Sequence, residues 1–419
     1  MKKMLIFVDT IDNKNKFYQL ELVGNQVNVE YGRVGSNPQK RSYQGGEAMF
    51  NKKMKEKIKK GYSESSIDLD IIEESTSASG NILDIAMEQI KTDVESKKLI
   101  AELVKQNIHN ITSNTKIKYD IKTGYFKSPL GIITQKGIDK AIEKLDKISI
   151  IVDDGTAKTS KSFIKYNEEY FSIIPTKISN LREFENLLTT SSKVEAQRDI
   201  CQALSDSLKI ISDEKEKLKN AGDKKIVNET VFEASVLALT DKKEYSRVKK
   251  KFEESKNSRH GRTANSYKIS NIYKVSLGKE ETEYKDTMTN QMELFHGTKI
   301  ANLLSILKSG LLMPKYSPGS TTGYMFGQGL YFASQSTKSL NYCDGMYWNN
   351  SKSTGKIYMF IADVAMGKYQ VPRSSRSKKP DSGYDSYWAQ PGKSGIQNDE
   401  MIVFKNNQIR LKYILEITK

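Results

Sequence analysis

The sequence predicts an α+β chain of several domains: a small antiparallel sheet with one helix, an all-helical stretch, and a mixed α/β region. Three observations carry this prediction. Residues 3 to 35 alternate apolar and polar side chains between turn residues, as in KFYQLELVGNQVNVEYGRVG, which is the period of half-covered strands. Residues 81 to 106 place Ile82, Leu83, Ile85, Ala86, Ile90, Val94, Leu99, Leu103 and Val104 at helical spacing, as an amphipathic helix requires. From about residue 226 the text is β-rich, for example SYKISNIYKVSL, GKIYMFIADVAMGKYQV and DEMIVFKNNQIRLKYILEI.

The opening MKKMLIFVDT has lysines ahead of an apolar run, but that run stops at Asp9. It is too short for a signal peptide or a membrane span and reads as the first strand of an intracellular protein. In GGEAMFNKKMKEKIKKGYSE the period changes, with Ala48, Phe50, Met54 and Ile58 at helical spacing and lysines on the other face. Residues 63 to 80, SESSIDLDIIEESTSASG, are acidic and serine-rich and read as a linker. A further helix starts after Pro129 and Gly131, and two more are expected across 181 to 219. No internal repeat is present.

Length alone, 419 residues, suggests two to four domains, each able to bury a core. The formal net charge of +16 points to a polyanionic partner such as nucleic acid. Residues 1 to 64 hold 13 Lys or Arg against 7 Asp or Glu, so part of the excess lies there. Two cysteines, Cys201 and Cys343, leave no scope for a disulfide framework and indicate a reducing compartment. With only His109, His260 and His296, a structural zinc module is not expected, and no metal site is predicted.

Chemistry concentrates near the C-terminal end. In GYMFGQGLYFAS, residues 323 to 334, glycines would let backbone approach a ligand and aromatics would offer faces for stacking. Upstream, LFHGTKIANLLSILKSGL reads as a strand ending in His296-Gly297-Thr298 and then a helix. Downstream come TKSLNYC, with Ser339 and Tyr342, and QNDEMIVF, with Glu400 opening a strand. No G-x-G-x-x-G follows a strand and no G-x-x-x-x-G-K-[ST] occurs, which argues against Rossmann and P-loop sites. No Ser or Cys has an evident histidine base. Taken singly, His296 is an ordinary strand end, Tyr331 a sheet tyrosine and Glu400 a solvated strand edge.

In combination, these three blocks closely resemble the catalytic domain of poly(ADP-ribose) polymerases of the His-Tyr-Glu type. KFYQLELVGNQVNVEYGRVG with GGEAMFNKKMKEKIKKGY looks like a WGR domain, the family's module for sensing DNA ends, and KSPLGIITQKGI and YFSIIPTKI are similar to segments of its helical regulatory domain. No zinc-finger or BRCT region is present. The resemblance implies a WGR domain at 1–64, a linker at 65–80, an autoinhibitory helical domain at 81–222 and an ADP-ribosyltransferase domain at 223–419. It implies NAD+ as co-substrate, with no metal.

What the resemblance implies chemically is cleavage of the nicotinamide–ribose bond and transfer of ADP-ribose through an oxocarbenium-like transition state, where charge stabilisation and positioning dominate. Glu400 is then the catalytic carboxylate, holding the 2′-hydroxyl of the nicotinamide ribose and helping activate the attacking hydroxyl. His296 hydrogen-bonds an ADP-ribose hydroxyl. The backbone of Gly297 and the hydroxyl of Ser339 hold the nicotinamide carboxamide, and Tyr331 and Tyr342 sandwich its ring. Lys338 serves the acceptor or polymer side, and Thr298 and Asn302 the adenosine side. With His296, Tyr331 and Glu400 all present, chain elongation is expected.

Two positions depart from the family. The WGR tryptophan is Tyr31, which can still stack on a DNA-end sugar, while Gly32 and Arg33 complete the motif and Arg33 contacts the backbone. Leu312 stands where several relatives carry an arginine near the adenosine half of NAD. Residues 371 to 395 look like a mobile loop at the acceptor side. The implied function is break-dependent poly(ADP-ribosyl)ation of itself and other proteins, with the helical domain shielding the pocket until DNA loosens it. The expected partners are DNA strand breaks and acceptor proteins, with no membrane. The expected location is the nucleus in a eukaryote and the cytoplasm or nucleoid in a bacterium or virus. The alternatives are a mono-ADP-ribosyltransferase acting on protein or DNA ends, and a silent DNA-end scaffold.

Overall fold

The computed structural model describes residues 1–9, 14–33, 37–64, 81–129, 131–177, 183–222, 230–313, 325–343 and 355–419. The expected linker, 65–80, and the start of the glycine-aromatic stretch, 323–324, lie outside these residues. The chain divides into two compact units. The first holds described residues of Met1–Ile82 and Ile108–Lys225, the second those of Leu83–Asn107, Ile226–Tyr316 and Thr321–Lys419.

In the first unit the N-terminal alternation becomes an antiparallel sheet. Its order is Gln39–Gln44, Gln26–Arg33, Lys14–Val23, Lys2–Asp9 and Ser63–Glu64. Gly24, at φ +58°, turns the hairpin between Val23 and Gln26, a conformation that suits glycine. Leu5, Tyr18, Leu20, Val27 and Val29 point to one face, where helix Gly46–Lys59 seats Phe50. Burying that ring contributes about 1.5–3 kcal/mol. The expected stripe on this helix is narrower than predicted. Phe50 and half-buried Met54 face the sheet, but Ala48 and Ile58 are exposed, and Met49 packs inward instead.

The same unit contains the helices Gln135–Asp153, Lys161–Ile173 and Ser191–Gly222. Thr134 and Ser160 cap the first two, each side-chain oxygen accepting from a backbone N–H three residues on, at 3.2 Å. Ile138, Ala141, Leu145 and Ile148 then fall on one buried face. Two sequence expectations are corrected here. The stretch 181–219 is not two helices: after a short turn at Phe184–Asn186, one helix runs from Ser191 to Gly222. The helix expected over 81–106 is interrupted, since Ile82–Gln89 ends before a two-residue strand and a new helix spans Val94–Asn114.

Pairing from the second unit explains that break. Lys91–Thr92 adds in parallel to the edge of strand Ala234–Ala238. Asp93 accepts from Ser96 N at 2.8 Å, capping the new helix, and from Ala238 N at 2.7 Å. Burial would raise its pKa, but these backbone donors outweigh it and hold the carboxyl below the usual range. Gln89 Oε1 accepts from Val231 N and Phe232 N.

The main sheet of the second unit runs Gln291–Gly297, Ile357–Ala365, Ile409–Thr418, Lys268–Leu277, Ala234–Ala238 and Lys91–Thr92. Every pairing except the last is antiparallel. Its near-continuous apolar strand, IYMFIADVA, is buried on both faces, as such a run requires. A second sheet runs Leu330–Phe332, Glu400–Val403, Ser386–Ala389 and Tyr369–Gln370. The two sheets meet where Phe295 and Ala333 exchange backbone hydrogen bonds of 2.9 and 3.0 Å. The loop expected over 371–395 is therefore partly sheet, with Ser386, Tyr387, Ala389 and Ser394 buried.

Candidate active site

The junction of the two sheets gathers the C-terminal candidates. Strand Gln291–Gly297 delivers His296 and Gly297 at its end, and helix Ile300–Ser309 follows at once. The glycine is dictated by protein packing. A Cβ on Gly297 would stand 1.9 Å from the Ser339 carbonyl oxygen and 3.2 Å from Cys343 Sγ. Any side chain there would push away helix Ser336–Leu340. In the glycine-aromatic stretch, a Cβ on Gly327 would lie 1.7 Å from Lys378 O, and one on Gly329 2.4 Å from Ile402 Cγ2. These two glycines thus admit neighbouring protein, which sequence reasoning had assigned to a ligand.

His296 Nδ1 sits 3.0 Å from the carbonyl oxygen of Tyr331. A carbonyl can only accept, so Nδ1 carries the proton and Nε2 presents a lone pair. Burial holds the imidazole pKa below its ordinary 6.5, against the opposing effect of that hydrogen bond. The ring is therefore neutral at pH 7, and it packs at 5.4 Å from the Phe332 ring. Thr298 and Asn302 lie one turn apart, with Asn302 Nδ2 donating to Thr298 Oγ1 at 3.2 Å.

Tyr331 lies in strand Leu330–Phe332, directly opposite Ile402 of the strand that opens with Glu400. Its hydroxyl donates to Gly327 O at 2.7 Å and accepts from Phe326 N at 2.9 Å. The hydroxyl is thus used to fix the turn before its own strand, leaving the ring for other contacts. Glu400 Oε1 accepts from Lys338 Nζ at 2.6 Å, and Lys338 also donates to Asp399 O at 3.0 Å. Burial lowers the Lys338 pKa, partly offset by the Glu400 charge. Ser339 donates to Phe295 O at 3.2 Å. Tyr342 follows with a half-exposed ring, and burial together with the Glu400 charge raises its hydroxyl pKa.

Direct contacts thus join His296 to Tyr331, Gly297 to Ser339 and Lys338 to Glu400, while Thr298, Asn302 and Tyr342 lie within a few residues of these in sequence. Leu312 is exposed on the segment after helix Ile300–Ser309. Tyr31, Gly32 and Arg33 lie in the first unit, at the end of strand Gln26–Arg33. Tyr31 packs on Tyr18 at 5.8 Å between ring centres, with the Arg41 guanidinium carbon over the Tyr31 ring, also at 5.8 Å. Sequence reasoning missed Asn257, Asn398, Asp399 and any role for His260, which hydrogen-bond to one another or to Ser334, Thr337 and Lys338. No periodicity or motif marks them, because they come from loops far apart in the chain. Among the described residues no cluster of three His, Cys, Asp or Glu could hold a metal ion, and no helix is long and apolar enough to cross a membrane.

The paired-sheet region that holds these residues matches a poly(ADP-ribose) polymerase catalytic domain, which makes it an ADP-ribosyltransferase domain. Residues 1–68 match the WGR domain, 91–227 the poly(ADP-ribose) polymerase regulatory domain, and 242–395 the poly(ADP-ribose) polymerase catalytic domain. The chain belongs to the poly(ADP-ribose) polymerase family. It is 26% identical over 455 residues to poly [ADP-ribose] polymerase 2-B of Oryza sativa subsp. japonica, covering 97% of this chain and 70% of that protein. It is 24% identical over 366 residues to human poly [ADP-ribose] polymerase 2, covering 78% of this chain and 60% of that protein. A third match, 30% identical over 185 residues, is to mouse protein mono-ADP-ribosyltransferase PARP4, covering 41% of this chain and 9% of that protein. The chain thus spans 70% of the first rice relative and 48% to 60% of the next three proteins it resembles.

Proposed function

We propose that the protein is a DNA-break-dependent NAD+ ADP-ribosyltransferase that builds poly(ADP-ribose) on itself and on other proteins. The observation that carries this reading is the Lys338–Glu400 ion pair standing on the strand that faces Tyr331, beside the His296–Gly297 strand end. The pocket residues fit a dinucleotide. Gly297 brings backbone against Ser339, the Tyr342 ring offers an open face, and neutral His296 offers Nε2 as an acceptor for a sugar hydroxyl.

In this reading Tyr331 and Tyr342 stack on the nicotinamide ring, and Gly297 with Ser339 holds its carboxamide. His296, Thr298 and Asn302 hold the remainder of the ADP-ribose. Breaking the bond between ribose and nicotinamide leaves positive charge on the ribose, which the Glu400 carboxylate stabilises. The same carboxylate takes up the 2′-hydroxyl and aligns the incoming acceptor hydroxyl, while Lys338 keeps it oriented. No metal takes part in these steps.

The proposed division of the chain is a WGR domain at 1–64, a linker at 65–80, a regulatory helical domain at 81–222 and the catalytic domain at 223–419. DNA breaks are held through Tyr31, Gly32, Arg33 and nearby lysines, and binding loosens the helical domain. The proposed location is the nucleus in a eukaryote and the cytoplasm or nucleoid in a bacterium or virus, in keeping with activation by DNA breaks. Labelled NAD+, given with and without a nicked or blunt duplex and followed by a denaturing gel, tests this. A DNA-dependent high-mass smear is expected. One sharp band would instead mean transfer of single units, and no label in either lane would leave a DNA-end scaffold.

A further inference from the structure

His260 is buried, 8% exposed, and both of its ring nitrogens are engaged. Nδ1 is 2.8 Å from Thr337 Oγ1, and Nε2 is 2.9 Å from Asn398 Oδ1. Thr337 immediately precedes Lys338, and Asn398 comes two residues before Glu400. One imidazole therefore spans the two segments whose side chains form the 2.6 Å ion pair.

One arrangement of hydrogens satisfies all of these partners. Thr337 Oγ1 accepts the Asn257 N–H at 2.9 Å, so its own proton can go to His260 Nδ1. Nε2 then carries the ring proton and donates to the Asn398 side-chain oxygen. Asn257 braces the same point, its Nδ2 donating to Asn398 Oδ1 at 3.3 Å and to Gln335 Oε1 at 3.2 Å. The segment ahead of the Glu400 strand is thus pinned at successive residues: Asn398 by His260, Asp399 by the Ser334 hydroxyl at 2.8 Å, and Glu400 by Lys338.

We propose that His260 is a positioning residue for the transfer reaction, setting the separation of Lys338 and Glu400 by clamping Thr337 to Asn398. The proposal rests on the reading that Glu400 is the catalytic carboxylate. His260 acts through Thr337 and Asn398. Its effect is on geometry, where a misplacement of about 1 Å can cost roughly a hundredfold in rate.

The test compares wild type, His260→Ala, His260→Gln and Glu400→Gln as full chains with activating DNA. Turnover is expressed per site titrated with benzamide, which carries the carboxamide but no ribose. For His260→Ala the expected result is a roughly 10- to 100-fold fall in kcat with KM for NAD+ within about twofold, unchanged benzamide affinity and shorter chains. His260→Gln, whose side-chain amide can still donate toward Asn398, is expected to recover part of kcat. Unchanged kcat per titrated site would overturn the proposal, because a merely structural histidine alters only the number of folded sites. A raised KM with unchanged kcat would overturn it too. If His260→Ala yields no benzamide sites, the Gln variant decides by the same criteria. Wild-type turnover in Glu400→Gln would remove the underlying reading, a result distinct from normal His260 variants beside a dead Glu400 variant.

Discussion

Nζ of Lys338 lies 2.6 Å from Oε1 of Glu400, and the two side chains are only 11% and 15% exposed. A charged pair so sheltered from water is held by geometry and a charge-assisted hydrogen bond, and removing one partner leaves the other poorly solvated. Glu400→Gln is therefore expected to abolish polymer, with a fall in kcat of about a hundredfold or more, while NAD+ binding persists. Unchanged product length on a gel would refute that role. The variant is also expected to lose stability, by roughly 1–3 kcal/mol, because Lys338 loses its counter-charge. Adding Lys338→Met to Glu400→Gln should restore part of this, as read by urea unfolding of all four members of the cycle.

The contact between Gly297 and Ser339 gives a second prediction. A methyl at 297 cannot fit 1.9 Å from a carbonyl oxygen without moving the strand end or helix Ser336–Leu340. Gly297→Ala is expected to destabilise by about 1–3 kcal/mol and to weaken benzamide binding at least tenfold. Calorimetric melting and titration would show both. A variant with wild-type affinity would mean that the two backbones can part without disturbing the carboxamide subsite.

His296 makes stability and activity sensitive to acid. Its pKa in the folded chain is depressed below 6.5, mainly by burial, so below that value the unfolded chain binds more protons than the folded one. Stability is therefore expected to fall as pH drops from 6.5 toward the depressed folded value, and to be insensitive to this group above 7. Protonation of Nε2 also turns an acceptor into a donor. Melting temperatures from pH 7.5 to 5 should slope downward in the wild type and less so in His296→Gln. Parallel slopes would exclude His296 as the cause.

Arg33 is expected to contribute one phosphate contact. Arg33→Ala should weaken binding of a blunt duplex and reduce the slope of log affinity against log salt by about 0.9. Filter binding at several salt concentrations gives the slope directly. An unaltered slope would take Arg33 out of the DNA site and leave the lysines of helix Gly46–Lys59 as the main contacts.

Removal of the helical domain must respect the fold. Asn107, within helix Val94–Asn114, donates to Ala301 O at 3.0 Å in a buried contact, and Lys91–Thr92 extends the main sheet. Deletion of 108–222 keeps these and is expected to give ADP-ribosyl transfer without DNA. Retained DNA dependence in the gel assay would rule out shielding by that segment.

Much of the candidate site was legible in the sequence. His296-Gly297, Tyr331, Ser339, Tyr342 and Glu400 lie in three short blocks, and their family pattern needs only residue type and order. The alternation of residues 14–33 likewise predicted its sheet, since a strand's period is local. The break at Ile90–Asp93 was not legible. Helical spacing runs straight through it, and it arises because a distant strand offers Lys91–Thr92 an edge and Asp93 a donor. The single helix Ser191–Gly222 was equally hidden, because Leu181, Phe184, Leu187 and Leu188 continue a helical spacing ahead of it, where Phe184–Asn186 forms only a short turn.

By itself the sequence determined the fold class and the basic charge, because propensity, period and composition are properties of neighbouring residues, and its three C-terminal blocks carried the family resemblance. Only the tertiary structure decided why Gly297, Gly327 and Gly329 must lack side chains, how the His296 ring is protonated, and that His260 bridges to Thr337 and Asn398. Those features depend on distances between segments tens to more than a hundred residues apart, and such distances are set when the two sheets pack.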